Sequence, residues 1–444
     1  MRIIIAGDGD TGTHLANTLS IENQDIVLIG SDRTHLAELE STCNLITYAG
    51  SVVSVDDLAQ CGISEADLFV AVTNDENLNL VAAQIAKGCG ARRCVARIDN
   101  PDYLNPEAFK VIRRSGIDAV IYPELYAARE IVNFITHNWV REWFDAHDNK
   151  LIVVGVKMTA GSPLVGNRLK DTAVSPRFFH VSALKRMDDI LIPRGDTEIK
   201  AGDILYFSVL PDNLPDLYKI CGGKLKRVKK IMITGGGHVT ENLLTLIDNQ
   251  YDITVIESDP LRCRHIASRF GSVTVVNTTA NDVATLKEEG IAGCDLFLAL
   301  TRSSEKNIVS CMVAREHGVE KTLARIEELQ YIPEAESLSI DKIINKKLLN
   351  VSKIFDSLIE SNFNEARCML LDSIEIIKLT ARHNSKIVSR PISQLSLPQG
   401  ITIGGLIRDG KGMLVEGCTR IEPGDYVLVF GYIGSLPRIE KLFS

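Results

Sequence analysis

The stretch Arg2-Ile-Ile-Ile-Ala-Gly-Asp-Gly9 is answered at residues 230–237 by Lys-Ile-Met-Ile-Thr-Gly-Gly-Gly. Residues 67–74, DLFVAVTN, are answered at 295–302 by DLFLALTR, Arg97 by Arg325 and Tyr103 by Tyr331. The offsets 235−7, 301−73, 325−97 and 331−103 are all 228. A repeat of this length is a duplicated domain, not a short solenoid unit. Each copy opens with an apolar strand running into a glycine-rich turn, the signature of a nucleotide-binding α/β unit.

After the first turn, apolar runs and helical stretches alternate. Strands are predicted at Arg2–Ala6, Ile26–Ile29, Leu45–Tyr48, Leu68–Val72, Cys94–Arg97 and Ala119–Ile121. Helices are expected over about 11–20, 34–41, 55–61 and 77–88. This alternation implies a doubly wound parallel sheet. From Ala127 to Phe144, Ala128, Ile131, Val132, Ile135, Trp139 and Trp143 fall at helical spacing. That helix either packs both tryptophans into a core or crosses over to a second subunit. Leu151–Val156, Phe178–Val181, Ile190–Pro193 and Ile204–Val209 are then short strand-like runs, and a Gly202-Asp203 turn launches the last of them. The device returns as Gly424-Asp425, 222 residues on. A small α+β domain therefore follows each nucleotide-type domain. The basic run Gly222–Lys230 reads as a solvated linker.

The 444 residues are 45% apolar and 24% charged, as in ordinary soluble domains, and the net charge of −8 argues against a nucleic-acid partner. No apolar stretch approaches the ~20 residues of a membrane-spanning helix. Strand 1 begins at Arg2, leaving no signal peptide, so a cytoplasmic chain is expected. The ten cysteines contain no CxxC pair and the nine histidines no HExxH, so no metal site is expected.

Gly7, Gly9 and Gly12 fit GxGxxG between a strand and a helix. The first glycine permits the tight turn, the second lets backbone approach a pyrophosphate and the third lets the helix pack closely. In the second copy Thr240 stands where the third glycine belongs, so its helix is expected to sit less tightly. The acid that reads the ribose at the end of strand 2 is present there as Glu257, with Asp259 after it. In the first copy that position is Gly30. Asp32, two residues on, either substitutes for the acid or caps the helix from Thr34. Thr73-Asn74, Thr301-Arg302, Arg97 and Arg325 stand beyond the carboxyl ends of strands, where ligands of open α/β sheets bind. The arginines serve phosphate or an interface, or else pair with Asp99 and Glu327.

The glycine turns, ADLFVAVTNDEN at 66–77, RID at 97–99 with Tyr103 and the paired Gly-Asp turns together resemble the regulatory potassium-transport proteins that carry RCK, or KTN, domains in tandem. The resemblance spans the whole chain. It implies two Rossmann-like RCK-N domains at 1–134 and 228–360, and RCK-C domains at 135–227 (with the crossover helix) and 361–444. It implies NAD(H), or ATP and ADP, as ligands. The first site would comprise Gly7, Asp8, Gly9, Asp10, Thr11, Gly12, Asp32, Ser51, Thr73, Asn74 and Arg97. The second would comprise Gly235, Gly236, Gly237, His238, Val239, Glu257, Thr301 and Arg325. It further implies a homo-oligomeric ring, a tetramer, on the cytoplasmic face beneath a TrkH-type channel, and cyclic di-AMP or a cation as a ligand of the RCK-C domains. Family members carry an acid where this chain has Gly30, and Gly-Asp where it has Gly50-Ser51 and Asn277-Thr278, which reduces the acidic contacts open to a ribose or adenine.

The expected function is thus a non-catalytic regulator of potassium uptake. The alternative is an NAD-dependent oxidoreductase, which would need an acid or base placed against the nicotinamide. His14, His35, His137, His147 and His180 have no neighbouring carboxylate pattern that singles one out.

Overall fold

In the computed structural model the described residues are all of 1–444 except 21–24, 147–148, 173–177, 188, 223–227, 248, 280–281, 339, 360–364, 372–373, 396, 399, 433–434 and 444. Most of the expected basic linker, 223–227, therefore lies outside the described residues. Strands β1 (Arg2–Ala6), β2 (Asp25–Gly30), β3 (Ile46–Ala49), β4 (Leu68–Ala71), β5 (Cys94–Arg97) and β6 (Ala119–Ile121) form a parallel sheet in the order β3-β2-β1-β4-β5-β6. β7 (Glu142–Asp145), β8 (Ile152–Lys157), β9 (Phe179–Arg186), β10 (Asp189–Leu191) and β11 (Ile204–Val209) form an antiparallel sheet in the order β10-β9-β11-β8-β7. The second half repeats both. β12 (Lys230–Thr234), β13 (Asp252–Glu257), β14 (Thr274–Asn277), β15 (Leu296–Ala299), β16 (Lys321–Arg325) and β17 (Lys342–Ile344) run in the order β14-β13-β12-β15-β16-β17. β18 (Glu365–Leu371), β19 (Ile374–Thr380), β20 (Ile401–Arg408), β21 (Lys411–Met413) and β22 (Tyr426–Tyr432) run in the order β18-β19-β22-β20-β21. Doubly wound Rossmann-like sheets followed by small α+β domains are thus present twice. The expected strands recur within two residues of their bounds in the first nucleotide-type domain, because a strand buried on both faces reads as a plain apolar run.

One expected helix is corrected. The helix read over Ala127–Phe144 is Pro123–Thr136, and Trp143 stands in β7, opposite Val154. Thr136, His137 and Asn138 are poor helix formers. A turn follows them, with the Val140 N–H donating to the His137 carbonyl. Both tryptophans still pack on the core of the first small domain, Trp139 against Tyr218 and Trp143 stacked on His137. The helix Pro106–Arg114, strand β7 and the helix Leu214–Ile220 lacked a decisive pattern in the sequence.

The chain divides into two compact units, residues 1–132 with 229–358 and residues 133–228 with 359–444. Like domains from the two halves therefore associate. In the unit of small domains, Leu151, Val153, Ala183 and Tyr206 share one core with Ile376, Leu428 and Phe430. A Cβ on Gly404 would stand 2.5 Å from the Ser208 hydroxyl, so the two sheets meet at backbone distance. The Gly-Asp turns have a second duty. Asp203 and Asp425 are almost fully buried and take bidentate bonds at 2.7–2.9 Å from Arg186 and Arg408. Each also accepts a turn N–H at 2.8 Å, from Lys200 and Glu422 respectively. A buried carboxylate is tolerated only when paired and hydrogen-bonded in this way.

Face-to-face packing also desolvates His180, whose Nε2 lies 3.3 Å from the Thr402 hydroxyl, and burial pushes its imidazole down from 6.5 to about 4. A neutral buried histidine contributes stability that is present above its unfolded pKa and is lost as pH falls toward the folded one. The small-domain unit should therefore weaken between pH 6.5 and about 4. Denaturant midpoints across that range should flatten for His180→Gln, and an equal slope in the variant would show that other groups carry the effect.

Candidate functional site: two crevices over glycine turns

In the first repeat the chain leaves β1 through Gly7, at a φ of 125°, and its N–H donates to the Ile29 carbonyl at 2.9 Å. A Cβ there would stand 2.9 Å from the Thr73 nitrogen, so any side chain would be strained and would collide with the end of β4. Helix Asp10–Ser20 follows at once, with Thr11 and Gly12 buried in its first turn. A Cβ on Gly12 would lie 1.8 Å from the Gly7 carbonyl oxygen, which explains the third glycine by close approach. Above Gly9 the nearest foreign atom is the Asn74 amide nitrogen, 3.9 Å from where a Cβ would be, so this backbone stays open. The fold thus gathers Gly7, Asp8, Gly9, Asp10, Thr11, Gly12, Thr73 and Asn74. Ser51 follows β3, two strands from β1, and donates its N–H to Asp57 at 2.8 Å. Arg97 ends β5 and pairs with Asp99 at 3.1 Å, while its Nε has no hydrogen-bond partner among the described residues. Of the two uses open to Asp32, capping is the one displayed: its carboxylate accepts the N–H groups of Thr34 and His35.

In the second repeat a cavity of about 220 Å³ lies over the turn. Gly235, Gly237, His238, Val239, Glu257, Thr301 and Arg325 line it. Gly236 stands behind that wall and donates its N–H to Glu257 at 2.6 Å. Arg262, Arg302 and Lys346 add three cations to the lining. With Arg325 they outnumber the two carboxylates there, which suits an anionic phosphate ligand. Thr240 is fully buried, and its hydroxyl donates to the Gly235 carbonyl, so the substitution is absorbed by a hydrogen bond at the turn. Arg325 also pairs with Glu327.

A carboxylate ties the glycine turn to the end of strand 2 in both repeats, by opposite routes. The register Ala6↔Ile29 and Thr234↔Ile256 makes Gly30 the counterpart of Glu257, and Asp8 the counterpart of Gly236. Glu257 reaches from β13 over Gly236 and also accepts the Asp259 N–H at 2.8 Å. Asp8 reaches from the turn over Gly30 and accepts the Asp32 N–H at 2.7 Å.

Each crevice is covered from the other repeat. Glu124, the second residue of helix Pro123–Thr136, lines the second cavity. Tyr122, just before that helix, accepts a hydrogen bond from Asn242 at 2.9 Å, and Glu130 pairs with Lys342 at 3.7 Å. In return Lys347, from helix Lys346–Ile359, pairs with Asp10 at 2.7 Å beside the first turn. Val351 and Ile354 of that helix enter the first repeat's core beside Ile5 and Leu15. The crossover therefore runs between repeats of one chain. Burial alone would raise the Glu124 carboxyl, but Lys346 at 2.9 Å, aided by Arg97, holds it below its usual value. The second oxygen of Glu124 is buried without a hydrogen-bond partner among the described residues.

Reading the sequence missed Glu124, Lys346, Arg262 and a matched pair of asparagines. Asn79 bonds both the N–H and the hydroxyl of Thr73, and donates to the carbonyls of Thr73 and Arg97. Asn307 makes the same four bonds to Thr301 and Arg325. These asparagines lock the ends of the fourth and fifth strands together, and the spacing 307−79 is again 228. Lys346→Met alone should cost about 3 kcal/mol, because it strands the buried Glu124 charge. Adding Glu124→Gln should recover most of that loss. Urea midpoints of the two variants test the pair, and equal stability of both would show that it carries no coupling.

The chain matches the TrkA-N domain over residues 3–123 and 231–346 and the TrkA-C domain over 153–222 and 376–444. It is 29% identical over 455 residues to the Trk system potassium uptake protein TrkA homolog 1 of Methanosarcina mazei, covering 100% of both chains. It is 30% identical over 459 residues to the Trk system potassium uptake protein TrkA of Haemophilus influenzae, covering 100% of this chain and 99% of that one. Its fold is similar to the GsuK RCK domain (TM-score 0.62, 14% identity, 100% of this chain and 94% of that one). It is likewise similar to the GsuK channel bound to NAD (TM-score 0.63, 14% identity, 100% and 78%). The chain belongs to the family of proteins built from TrkA-N and TrkA-C domains.

Proposed function

We propose that this chain is the regulatory, nucleotide-binding subunit of a potassium uptake system. An adenine nucleotide, NAD(H) or ATP and ADP, is held at the glycine turns as a signal. The observation that carries this reading is the second crevice: a cationic cradle at the carboxyl ends of parallel strands, with Glu124 of the other repeat in its wall. A phosphate bound there changes the electrostatics of a contact between repeats. Occupancy thus biases the geometry of the pair, which is the differential affinity that allosteric control requires. The full-length likeness to Trk uptake proteins and the fold shared with a channel described as bound to NAD support the reading.

The partner in this proposal is a TrkH-type membrane subunit, engaged by a homo-oligomeric ring of these chains on the cytoplasmic face. Among the described residues no helix is long and apolar enough to cross a membrane. The division at 134, 227 and 360 assigns nucleotide sensing to the first and third domains. The second and fourth domains are left for a second ligand of the cyclic di-AMP class. No chemical step is required of any residue.

Calorimetric titration of NAD, NADH, ATP and ADP should show saturable binding, with unchanged nucleotide recovered afterwards. Glu257→Ala should remove one binding event. Steady turnover of NADH would overturn the regulatory reading in favour of an oxidoreductase, and the absence of binding by all four nucleotides would overturn the sensor itself.

A further inference from the structure

We infer that Asp8 is the ribose-reading acid of the first crevice, a carboxylate transposed from the end of β2 onto the glycine turn, and that it selects nucleotides whose ribose carries a free 2′-hydroxyl. The inference rests on the proposed function, since it concerns the same crevice.

Three observations carry it. The space between the turn and the end of strand 2 holds one carboxylate in each repeat, laid over a glycine of the facing element. A Cβ on Gly30 would lie 2.3 Å from the Asp8 Cγ, and a Cβ on Gly236 would lie 3.2 Å from the Glu257 Cγ and 2.5 Å from the Ile266 Cδ1. The acid and the glycine are therefore exchanged as a pair, and the first repeat has not lost the function that Gly30 alone suggests. The carboxylates are also anchored alike. Asp8 accepts the N–H of Asp32 and Glu257 that of Asp259, each the capping residue of the following helix. Finally, only one oxygen of Asp8 is used in this way. The other makes no hydrogen bond among the described residues, and the side chain is half-buried beside the open backbone of Gly9. An anchored carboxylate with one open oxygen accepts a hydroxyl proton and repels a phosphate in its place. Asp32, spent on its cap, is not needed for that role.

The experiment titrates NADH and NADPH, which differ by a 2′-phosphate, and takes the binding event that survives Glu257→Ala as the first crevice. The variants are Asp8→Asn, Asp8→Gly and the exchange Asp8→Gly with Gly30→Glu, each checked for thermal unfolding. The unaltered crevice should prefer NADH. Asp8→Asn should weaken NADH binding by about tenfold, the scale of a hydrogen bond to a charged acceptor, and abolish the preference. The exchange variant should regain both, because it rebuilds the arrangement of the second repeat. A preference for NADH that persists in Asp8→Gly overturns the inference alone. A folded exchange variant that does not discriminate overturns it too. A first crevice that binds neither nucleotide overturns it together with the functional reading of that crevice.

Discussion

Two side chains of the second repeat, Val351 and Ile354, are buried in the core of the first. Burying such residues is worth about 1.5–3 kcal/mol each, and the helix that carries them cannot leave without exposing both. Much else follows from that exchange. It fixes Lys346 against Glu124 and Lys347 against Asp10, and so brings charge from each repeat to the mouth of the other's crevice. A glycine turn alone would be a passive cradle. With the exchanged helices it becomes part of an interface, and the ligand's phosphates enter a charge balance shared by both repeats.

Within each crevice, rigidity comes from polar groups with no freedom left. Asn79 and Asn307 are fully buried and satisfied, and they hold the threonine and arginine positions at the sheet ends in fixed register. The bridging carboxylate does the same between the turn and the second strand. Unmet buried donors and acceptors are costly, so such networks hold one geometry far more firmly than apolar contact does. A ligand then meets a preformed surface, and what remains free to respond is the contact between repeats.

The features legible in the sequence were local. Apolar runs and glycine spacing gave the strands and the turns because both are set within a dozen residues. The duplicated spacing of 228 points to Thr301 and Arg325, and Asn307 stands at the same spacing from Asn79. Glu124 and Lys346 could not be found that way. They are partners across the chain, and each looks like an ordinary charge at a helix start. The Asp8 and Gly30 exchange was hidden differently, since each position taken singly reads as a departure and only their shared volume reveals a swap. Trp139 and Trp143 misled because spacing at four residues carries across a turn into a strand as easily as along a helix.

The strands fix which residues correspond at the crossover. Ile121 of β6 matches Ile344 of β17, so Glu124 corresponds to Lys347. The two repeats therefore put opposite charges at one structural address. Two identical copies related by a two-fold axis could not do so, because the residue at each address would be the same in both. Joining the copies in a single polypeptide releases them from that symmetry. One half is then free to drift toward acid and the other toward base, and the two crevices can acquire different tastes and different thresholds within one molecule.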